Sequence, residues 1–385
     1  MPFTAVQIHI RRLNYKMKPS DKPTLFRFYT AEDIRLAESL KSYSFLRNCR
    51  EITNSEAVEK YMIHEPDEEY GFLHETAVIA YHGVLFASWY NCRRDELHGR
   101  TPVRGKRSSD GGKTWSAVEV IDDDESGNIM FCPPVYGIDD DKLYMLVNEM
   151  VAADHMHALN LYVFCEETNC FEKLWSRPIP FKLNTNVMTL PNGKKMISGR
   201  VAELDGFPNT PAVLLSDSGK IDAEWRLVKL AENGDLPDGE KFVHPEICPI
   251  IREDGIYMFC RNDKRRVPFL YVSKDNGESW DGPFTHDIPL VSTKVYAGQL
   301  QDGRYYIVGN IEKAARTKLV IYFSEKDTME FTKCLVLCDS DKGLEGCMHY
   351  PVACENEGKL YISYTRNYTW ERRGAALAVI DLKRV

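Results

Sequence analysis

The sequence predicts an all-β protein: a six-bladed β-propeller of four-stranded antiparallel blades, preceded by a short N-terminal extension that contains a helix. Three observations lead to this prediction. The 385 residues are rich in aromatic side chains and glycine, with 20 Tyr, 17 Phe, 6 Trp and 24 Gly. A tight turn followed by a short aromatic strand occurs repeatedly, and a second turn motif recurs out of phase with the first. The length fits two or three domains of about 150 residues or one large repeat fold, and the repeats favour the single fold.

The tight turns set the period of the blades. Each turn lies between two short apolar strands, as in CPIIRE before Asp254-Gly255 and IYMFC after Asp254-Gly255. Asn, Asp and Gly tolerate the positive φ that tight hairpins need, so such dipeptides predict hairpins. The turns begin at residues 82, 141, 192, 254, 302 and 357. Their mean spacing is about 55 residues, which is typical of a four-stranded propeller blade.

The second motif has the pattern Ser-x-Asp-x-Gly-x-Ser/Thr-Trp. It is complete in SSDGGKTW, which contains Asp110 and Trp115, and in SKDNGESW, which contains Asp275 and Trp280. The carboxylate can accept backbone N–H groups of a tight turn, the glycine can take a positive φ, and the tryptophan can pack between neighbouring sheets. We therefore predict a structural role for these four residues, in the turn between the third and fourth strands, away from any pocket.

These two segments resemble the Asp-boxes, or BNR repeats, of the sialidase (neuraminidase) superfamily, whose members are six-bladed propellers. The resemblance covers roughly residues 70–385. It predicts a propeller domain over residues 66–385, with residues 1–65 as the N-terminal extension. Propellers with other functions share Asp-boxes, so the activity has to be argued from the pocket residues.

In a propeller of this kind, the pocket face carries the loops that enter each first strand and leave each second strand. The chain places several arginines at this phase of the repeat, although its formal net charge is −8. Arginine binds carboxylates in bidentate fashion, so this convergence predicts a pocket for an acidic ligand. The expected substrate-binding residues are Arg93, Arg200, His244, Arg261, Asn310, Arg316 and Tyr364.

The resemblance implies roles for four pocket residues. HPEICPIIREDGIYMFCRND is similar to the sialidase segment in which a glutamate polarises the tyrosine nucleophile and an arginine binds the sialate carboxylate, and these positions match Glu246 and Arg261. A later hairpin resembles the segment with the third arginine of that triad, which falls on Arg316. HYPVACENEGKLYISYT resembles the nucleophile segment, matched by Tyr350. The resemblance thus implies an exo-acting glycosidase with Tyr350 and Glu246 at the anomeric centre.

The first blade departs from the sialidase pattern. Sialidases read Phe/Tyr-Arg-Ile-Pro before the first strand, where this chain reads Phe72-Leu73-His74-Glu75, so the first arginine of the triad is absent. The usual acid/base aspartate aligns by spacing with Leu97, next to Asp95 and Glu96. We expect Asp95 or His74 to take the proton-transfer role, with Glu96 as a further candidate, because carboxyl groups and imidazoles transfer protons near neutral pH.

Three functions follow from these observations. The first is hydrolysis of an acidic glycan, sialic-acid-like or uronate-containing, with arginines binding the carboxylate. The second is a uronate-directed hydrolase or polysaccharide lyase that uses histidine in place of the sialidase acid/base, since related propellers act on such glycans. The third is a non-catalytic carbohydrate-binding propeller. Convergent arginines favour the enzymes, and the expected partner is an acidic oligosaccharide or glycoside substrate.

Composition limits the remaining possibilities. The net acidic charge disfavours nucleic acid as a partner, and no apolar run approaches about 18 residues, so we expect no membrane partner. The 11 cysteines include no CxxC pair and the first residues show no signal peptide, which predicts reduced cysteines in a cytoplasmic protein. The HxH at His155–His157 lacks an evident third ligand, so we expect neither a metal nor another cofactor. These patterns make no prediction of oligomeric state.

The N-terminal extension contains two further signals. AEDIRLAESLKSY has helical spacing of apolar residues, which predicts a helix near residues 31–43 with Thr30 as its N-cap. VQIHIRRL, at residues 6–13, predicts a strand that joins the last blade and closes the ring.

Overall fold

The computed structural model describes residues 30–53, 55–97, 99–152, 155–202, 209–311 and 316–385. These residues form six mainly antiparallel sheets, one for each blade of a six-bladed β-propeller, which confirms the fold class predicted from the repeats. The chain forms the blades in sequence order, and none of the described strands that precede blade 1 joins blades 1 to 3. Blade 1 has the strands Phe72–Tyr81, Val84–Cys92, Val103–Ser108 and Glu119–Asp122. Blade 2 has Met130–Asp139, Lys142–Ala152, His155–Cys165 and Cys170–Arg177. Blade 3 has Phe181–Leu183 and Met188–Thr189, which both pair with Lys195–Val201, followed by Thr210–Ser216 and Arg226–Lys229.

Blades 4 to 6 each gain a strand from the segment that precedes blade 1. Blade 4 has Ile247–Arg252, Gly255–Cys260, Phe269–Ser273 and Asp281–His286, with Ser42–Tyr43 parallel to the last of these. Blade 5 has Tyr296–Gln299, Tyr305–Asn310, Lys318–Ser324 and Phe331–Asp339, with Leu46–Ile52 parallel to the last. Blade 6 has Met348–Asn356, Lys359–Asn367 and Arg373–Asp381, with Val58–His64 antiparallel to the last. Short 3-10 helices cover Gly343–Gly346 and Leu382–Arg384.

Residues 42–64 therefore form a belt along the outer edges of blades 4, 5 and 6. The strand Val58–His64 is the fourth strand of blade 6, so the ring is closed by pairing between the beginning and the end of the propeller. The belt occupies edges whose N–H and C=O groups would otherwise be available to another chain. The strand predicted at residues 6–13 lies outside the described residues.

The N-terminal helix runs over Ala31–Ser39, a little shorter than predicted, and Thr30 is its N-cap as predicted. The Thr30 hydroxyl accepts the N–H of Asp33 at 3.1 Å, and the Asp33 carboxylate accepts the N–H of Thr30 at 2.8 Å. This reciprocal capping satisfies donors that the first turn leaves open. Leu36 is buried in a cluster with residues of blades 3 and 4, which fixes the helix on the propeller.

The two complete Asp-boxes lie directly after the third strands of blades 1 and 4. Asp110 accepts the N–H of Thr114 at 2.9 Å and its hydroxyl at 2.6 Å. Asp275 makes the equivalent bond to the N–H of Ser279, also at 2.9 Å. The indoles of Trp115 and Trp280 donate to the carbonyls of the box glycines at 3.0 and 3.2 Å. Trp115 packs against a cluster that includes side chains of blade 6, and Trp280 against one that includes side chains of blade 3. Each box therefore packs against the preceding blade.

Gly199 allows two strands of blade 3 to approach closely. A Cβ atom at this position would lie 2.2 Å from the carbonyl oxygen of Lys182 and 2.5 Å from the Phe181 ring. We expect Gly199→Ala to lower the free energy of unfolding by about 1–3 kcal/mol, because the backbone of the adjacent strand would have to move. Denaturant-induced unfolding would measure this loss.

Gly193→Ala, at a turn of the same blade, is the matched control. Nothing lies within 4 Å of a Cβ atom there, although φ is +84°. Its cost should come from the backbone conformation alone, at about 1 kcal/mol. An equal or larger loss for Gly193→Ala than for Gly199→Ala would contradict the packing explanation.

Candidate active site

A cavity of about 510 Å³ opens on the face where the first strands of the blades begin. Its lining contains five cationic side chains and three carboxylates. This concentration of charge in one concave site contrasts with the acidic protein as a whole. The lining residues are His74, Glu75, Glu96, Leu97, Lys182, Arg200, His244, Glu246, Arg261, Arg316, Cys347, His349, Tyr350, Asn367, Trp370 and Arg373.

Bulges at the beginning of two first strands place lining side chains. Strand register shifts between His74 and Ala77 in blade 1, and again between His349 and Val352 in blade 6. Glu75 lies in the first bulge with φ +49°, and Tyr350 lies in the second with φ +57°. Two more lining residues, His244 and Arg316, also have positive φ, at +49° and +57°. Strained backbone of this kind clusters at functional sites, where it redirects side chains.

Tyr350, Arg261 and Glu246 form the central cluster. Nη1 of Arg261 donates to the Tyr350 hydroxyl at 2.7 Å and also to the Glu246 carboxylate. Burial raises the pKa of Tyr350 although Arg261 opposes this, so the hydroxyl is protonated at neutral pH. Burial also disfavours charge on Glu246, but Arg261, Lys294 and Arg200 outweigh it and lower its pKa. The cluster therefore presents a neutral phenol beside an ionised carboxylate.

Asp263 holds the guanidinium of Arg261 in place. Its oxygens accept Nε of Arg261 at 2.8 Å and Nη2 at 2.5 Å, in the bidentate geometry typical of arginine and carboxylate. His244 and Ser292 also hydrogen-bond to Asp263, at 2.9 and 2.5 Å. Burial opposes ionisation of Asp263, but these hydrogen bonds and Arg261 lower its pKa overall. Asp263 thus fixes the orientation of the guanidinium that contacts Tyr350.

Glu75 and Lys294 form a second buried ion pair next to Tyr350. Nζ of Lys294 lies 2.7 Å from the Glu75 carboxylate, and the two side chains are 4% and 6% exposed. The same Nζ lies 5.6 Å from the centre of the Tyr350 ring. Because both charges are buried, each lacks water and is compensated by the other.

Two buried histidines complete the floor of the cavity. The His74 ring lies 4.2 Å from the Tyr350 ring and 5.1 Å from the His349 ring, measured between ring centres. Nδ1 of His74 hydrogen-bonds to the Thr365 hydroxyl at 3.0 Å. Burial, and then nearby cations, lower the pKa of both histidines well below the usual value. Both rings are therefore neutral at pH 7.

Neutral buried histidines make stability depend on pH. On unfolding below about pH 6.5, each of these two histidines takes up a proton, so stability is lost as the pH falls below that value, by about 1.4 kcal/mol per pH unit for each ring. Between pH 7.5 and pH 5.5, we expect the free energy of unfolding of His74→Gln to fall by about 1 kcal/mol less than that of the wild type. Denaturant-induced unfolding at the two pH values measures the difference.

His82→Gln is a control of opposite sign. His82 lies between Asp141 and Glu166, at 2.8 and 3.0 Å, and these carboxylates raise its pKa. Protonated His82 stabilises the fold at low pH, and this contribution is lost as the pH rises through its raised pKa. Its removal should therefore steepen the loss on acidification. A His74→Gln variant as sensitive to acid as the wild type would contradict the assignment of His74 as neutral.

Eight of the residues predicted from the sequence line the cavity. They are Tyr350, Glu246, Glu96, His74, Arg261, Arg316, Arg200 and His244. Most lie just before or at the beginning of a first strand or on a loop after a second strand, the phase of the repeat that the prediction used, and Arg200 lies near the end of the second strand of blade 3. These positions support the predicted pocket face.

Four other predicted residues lie outside the cavity lining. The side-chain amide of Asn310 donates to three backbone carbonyls, including that of Arg316 at 3.1 Å, so it holds a loop in place. Tyr364 is buried, and its hydroxyl accepts the Cys338 thiol at 3.5 Å. Arg93 is exposed, and Asp95 is half-buried next to Glu96, whose side chain does line the cavity. The direction of a side chain depends on the alternation along a strand and on the path of a loop. The phase of the repeat specifies neither, so it did not reveal that these four side chains point away from the cavity.

The sequence-based prediction did not include several charged residues at the site. Lys182 and Arg373 line the cavity, and Lys294 contacts its floor through Glu75. Lys182 comes from the short first strand of blade 3, and Arg373 begins the third strand of blade 6. Arg373 lies in the TWERR segment after the last hairpin. The sequence shows its charge, but its place in the cavity depends on how blade 6 closes the ring.

Within the described residues, no group of three or more His, Cys, Asp or Glu side chains could hold a metal ion. In that same part of the chain, no helix is long and apolar enough to cross a membrane. The 11 cysteines are all free thiols.

Comparison with known proteins agrees with this fold. The BNR repeat-like domain family matches residues 83–362. The structure of Trypanosoma rangeli sialidase in complex with sialic acid superposes with a TM-score of 0.65 at 12% identity, over 86% of this chain and 60% of that chain. The Hadza microbial sialidase Hz136 gives a TM-score of 0.68 at 11% identity, over 85% of this chain and 69% of that chain. A protein of unknown function from Dyadobacter fermentans gives 0.63 at 14% identity, over 84% and 99%.

The present chain thus spans about 60% of the length of the Trypanosoma rangeli sialidase that it matches. No curated protein sequence matches it. Because the sequence identities are low, the structural matches establish the fold alone. The family match covers most of the chain. The chain belongs to the BNR repeat-like domain family.

Proposed function

We propose that this protein is an exo-acting glycoside hydrolase for an acidic glycan, sialic-acid-like or uronate-containing. The observation that carries the proposal is the contact of one Arg261 nitrogen with both the Tyr350 hydroxyl, at 2.7 Å, and the Glu246 carboxylate, inside a cation-rich cavity. A sialidase-like propeller supports a glycosidase type of function in general, and the structure of the Trypanosoma rangeli sialidase contains sialic acid. The cluster supplies a nucleophile and a base, and the cavity around it supplies cations for a carboxylate.

In the first step, the Tyr350 oxygen attacks the anomeric carbon while its proton passes to ionised Glu246. The glycosidic C–O bond breaks, and the leaving oxygen takes a proton from an acid. Water then attacks the anomeric carbon and gives its proton to the deprotonated acid, the glycosyl–tyrosine bond breaks, and Glu246 returns its proton to Tyr350. A neutral phenol suits this role because it approaches an anionic sugar without charge repulsion.

Glu96 is our candidate for the acid. It lines the cavity, and its carboxylate accepts the hydroxyl of buried Tyr90 at 3.1 Å. Its neighbour Asp95, the aspartate named from the sequence, is not among the lining residues. The neutral ring of His74 is less suited to donate a proton, because donation requires the imidazolium form.

The second candidate function is a uronate-directed hydrolase or lyase. The neutral rings of His74 and His349, 5.1 Å apart, favour it, because a neutral imidazole can accept a proton from the carbon next to a carboxylate. In a lyase, this proton is removed, the C4–O bond breaks, and a C4–C5 double bond forms. The proton passes to one histidine and from it to the leaving oxygen, so the elimination consumes no water.

The test is turnover of defined substrates by the full chain. Release of fluorophore from 4-methylumbelliferyl N-acetylneuraminide or 4-methylumbelliferyl glucuronide would support the hydrolase. An ultraviolet absorbance from a new C4–C5 double bond on a polyuronate would support the lyase instead. Binding of sugar acids without turnover of any of these substrates would favour a carbohydrate-binding propeller and contradict the enzyme proposal.

A further inference from the structure

The cations of the cavity are not equally neutralised. Arginine has five N–H donors, and Arg261 uses four of them on Glu246, Tyr350 and Asp263. Glu246 and Asp263 together bring two negative charges against the single positive charge of Arg261. Only one N–H of Arg261, on Nη2, is left over, so a bidentate bond to a substrate carboxylate would have to displace one of these contacts.

Arg316 and Arg373 differ from Arg261 in this respect. Among the described residues, neither has a carboxylate within ion-pair distance. Arg316 donates from Nη2 to the carbonyl of Ser292 at 3.1 Å. Arg373 donates from Nε to the carbonyl of Trp370 at 3.1 Å, and its guanidinium lies 4.0 Å from the centre of the Phe72 ring.

Arg373 is packed into the cavity wall. Its guanidinium packs between Phe72 and Trp370, 4.7 Å from the centre of the Trp370 ring, and the residue is 3% exposed. Burial lowers the pKa of Arg373, while Glu96 across the cavity opposes this. A guanidinium keeps its charge in proteins, so the cavity contains a buried cation that gains from an anionic partner.

The two arginines approach the same point of the floor from different blades. The carbonyl of Arg316 accepts the N–H of Met348 at 3.1 Å, which ties Arg316 to the residue before His349. Arg373 is the cross-strand partner of Asn367, and Asn367 hydrogen-bonds to the His349 ring at 3.1 Å. Both arginines also lower the pKa of His349.

We infer that the carboxylate of the sugar binds between Arg316 and Arg373, above His349, and that Arg261 serves to position Tyr350 and Glu246. This inference rests on the proposed function and specifies the ligand of the same site. The ligand class is a monosaccharide acid whose carboxylate faces blades 5 and 6. Because Arg316 lies 5.7 Å from the centre of the Tyr350 ring, this arrangement brings the anomeric region of the sugar to Tyr350.

The experiment measures binding of three sugars to the full chain by calorimetry: N-acetylneuraminate, glucuronate and uncharged glucose. The variants are Arg373→Met and Arg316→Met, which keep side-chain length but remove the charge. Arg366→Met is the matched control, because Arg366 is an exposed arginine of blade 6 outside the cavity lining. The two acids distinguish a sialic-acid-like ligand from a uronate.

We expect the wild type to bind at least one acid more tightly than glucose. Arg373→Met and Arg316→Met should each weaken binding of that acid by about tenfold or more and leave glucose binding unchanged, since charge-assisted hydrogen bonds are lost. Arg366→Met should bind all three sugars like the wild type. If Arg373→Met does not fold, Arg373→Lys, which keeps the charge without the planar fork, should weaken acid binding by about threefold or more.

Two results would overturn the inference while leaving the proposed function in place. One is an unchanged affinity for the acid in Arg373→Met. The other is an equal loss for acid and glucose, which would indicate a packing role. A wild type that binds neither acid would instead overturn the proposed function, and the inference with it.

Discussion

Replacement of Tyr350 by phenylalanine is expected to lower kcat for the acidic glycoside by at least about a thousandfold, with little change in substrate affinity. The variant retains the ring and its contacts with His74 and Arg316, and it removes the oxygen that attacks the anomeric carbon. The Arg261 nitrogen that contacts this hydroxyl still has Glu246 as a partner, so the fold should survive. Steady-state kinetics on the fluorogenic substrate that the wild type turns over would measure the effect.

Tyr364→Phe is the matched control for this prediction. Tyr364 is also a buried tyrosine of blade 6, but its hydroxyl contacts the Cys338 thiol and does not line the cavity. We expect its kcat to equal that of the wild type. If Tyr350→Phe retained substantial turnover, Tyr350 would be excluded as the nucleophile, and chemistry centred on His74 and His349 would be favoured.

Lys294→Met is expected to cause the largest loss of stability, about 3–5 kcal/mol. The substitution removes the cation that balances Glu75, and both side chains are almost completely buried. The remaining carboxylate would be left without its ion-pair partner at the floor of the cavity. The free energy of unfolding, from denaturant titration at pH 7.5, would measure this loss.

A double variant separates the charge effect from a packing effect. In Glu75→Gln/Lys294→Met, neither charge remains, so most of the lost stability should return. Arg35→Met is the surface control, because the Arg35–Glu32 pair is largely exposed and should leave stability unchanged within error. If the double variant were as unstable as Lys294→Met, the loss would not be due to an unbalanced charge.

The sequence determined the propeller through local signals. Turns such as Asp254-Gly255 and the two Asp-boxes need only a few neighbouring residues to form, so their spacing was readable without any knowledge of long-range contacts. The belt was not predicted, because its strands pair with partners more than 200 residues away. Nothing in the local pattern of LRNCREI or VEKYMIH indicates which sheet edge each strand joins.

The residues of the candidate site likewise fall into those that the sequence predicted and those that it did not. Glu246, Arg261 and Tyr350 were predicted because they precede or follow strands at one phase of the repeat. Arg373 and Lys294 were not, because their proximity to Tyr350 depends on how blades 5 and 6 pack around the axis. The bulges that redirect Glu75 and Tyr350 likewise follow from backbone geometry that the residue types do not reveal.

The closure of the ring has a consequence for synthesis on the ribosome. Val58–His64 is synthesised long before its partner Arg373–Asp381. Until those residues leave the ribosome, the early strand has an unsatisfied edge and blade 6 is incomplete. The cavity is also incomplete, because Tyr350 and Arg373 belong to this blade. We therefore expect nascent chains that stop before residue 373 to lack sugar binding altogether, because the site is assembled only when the two ends of the propeller meet.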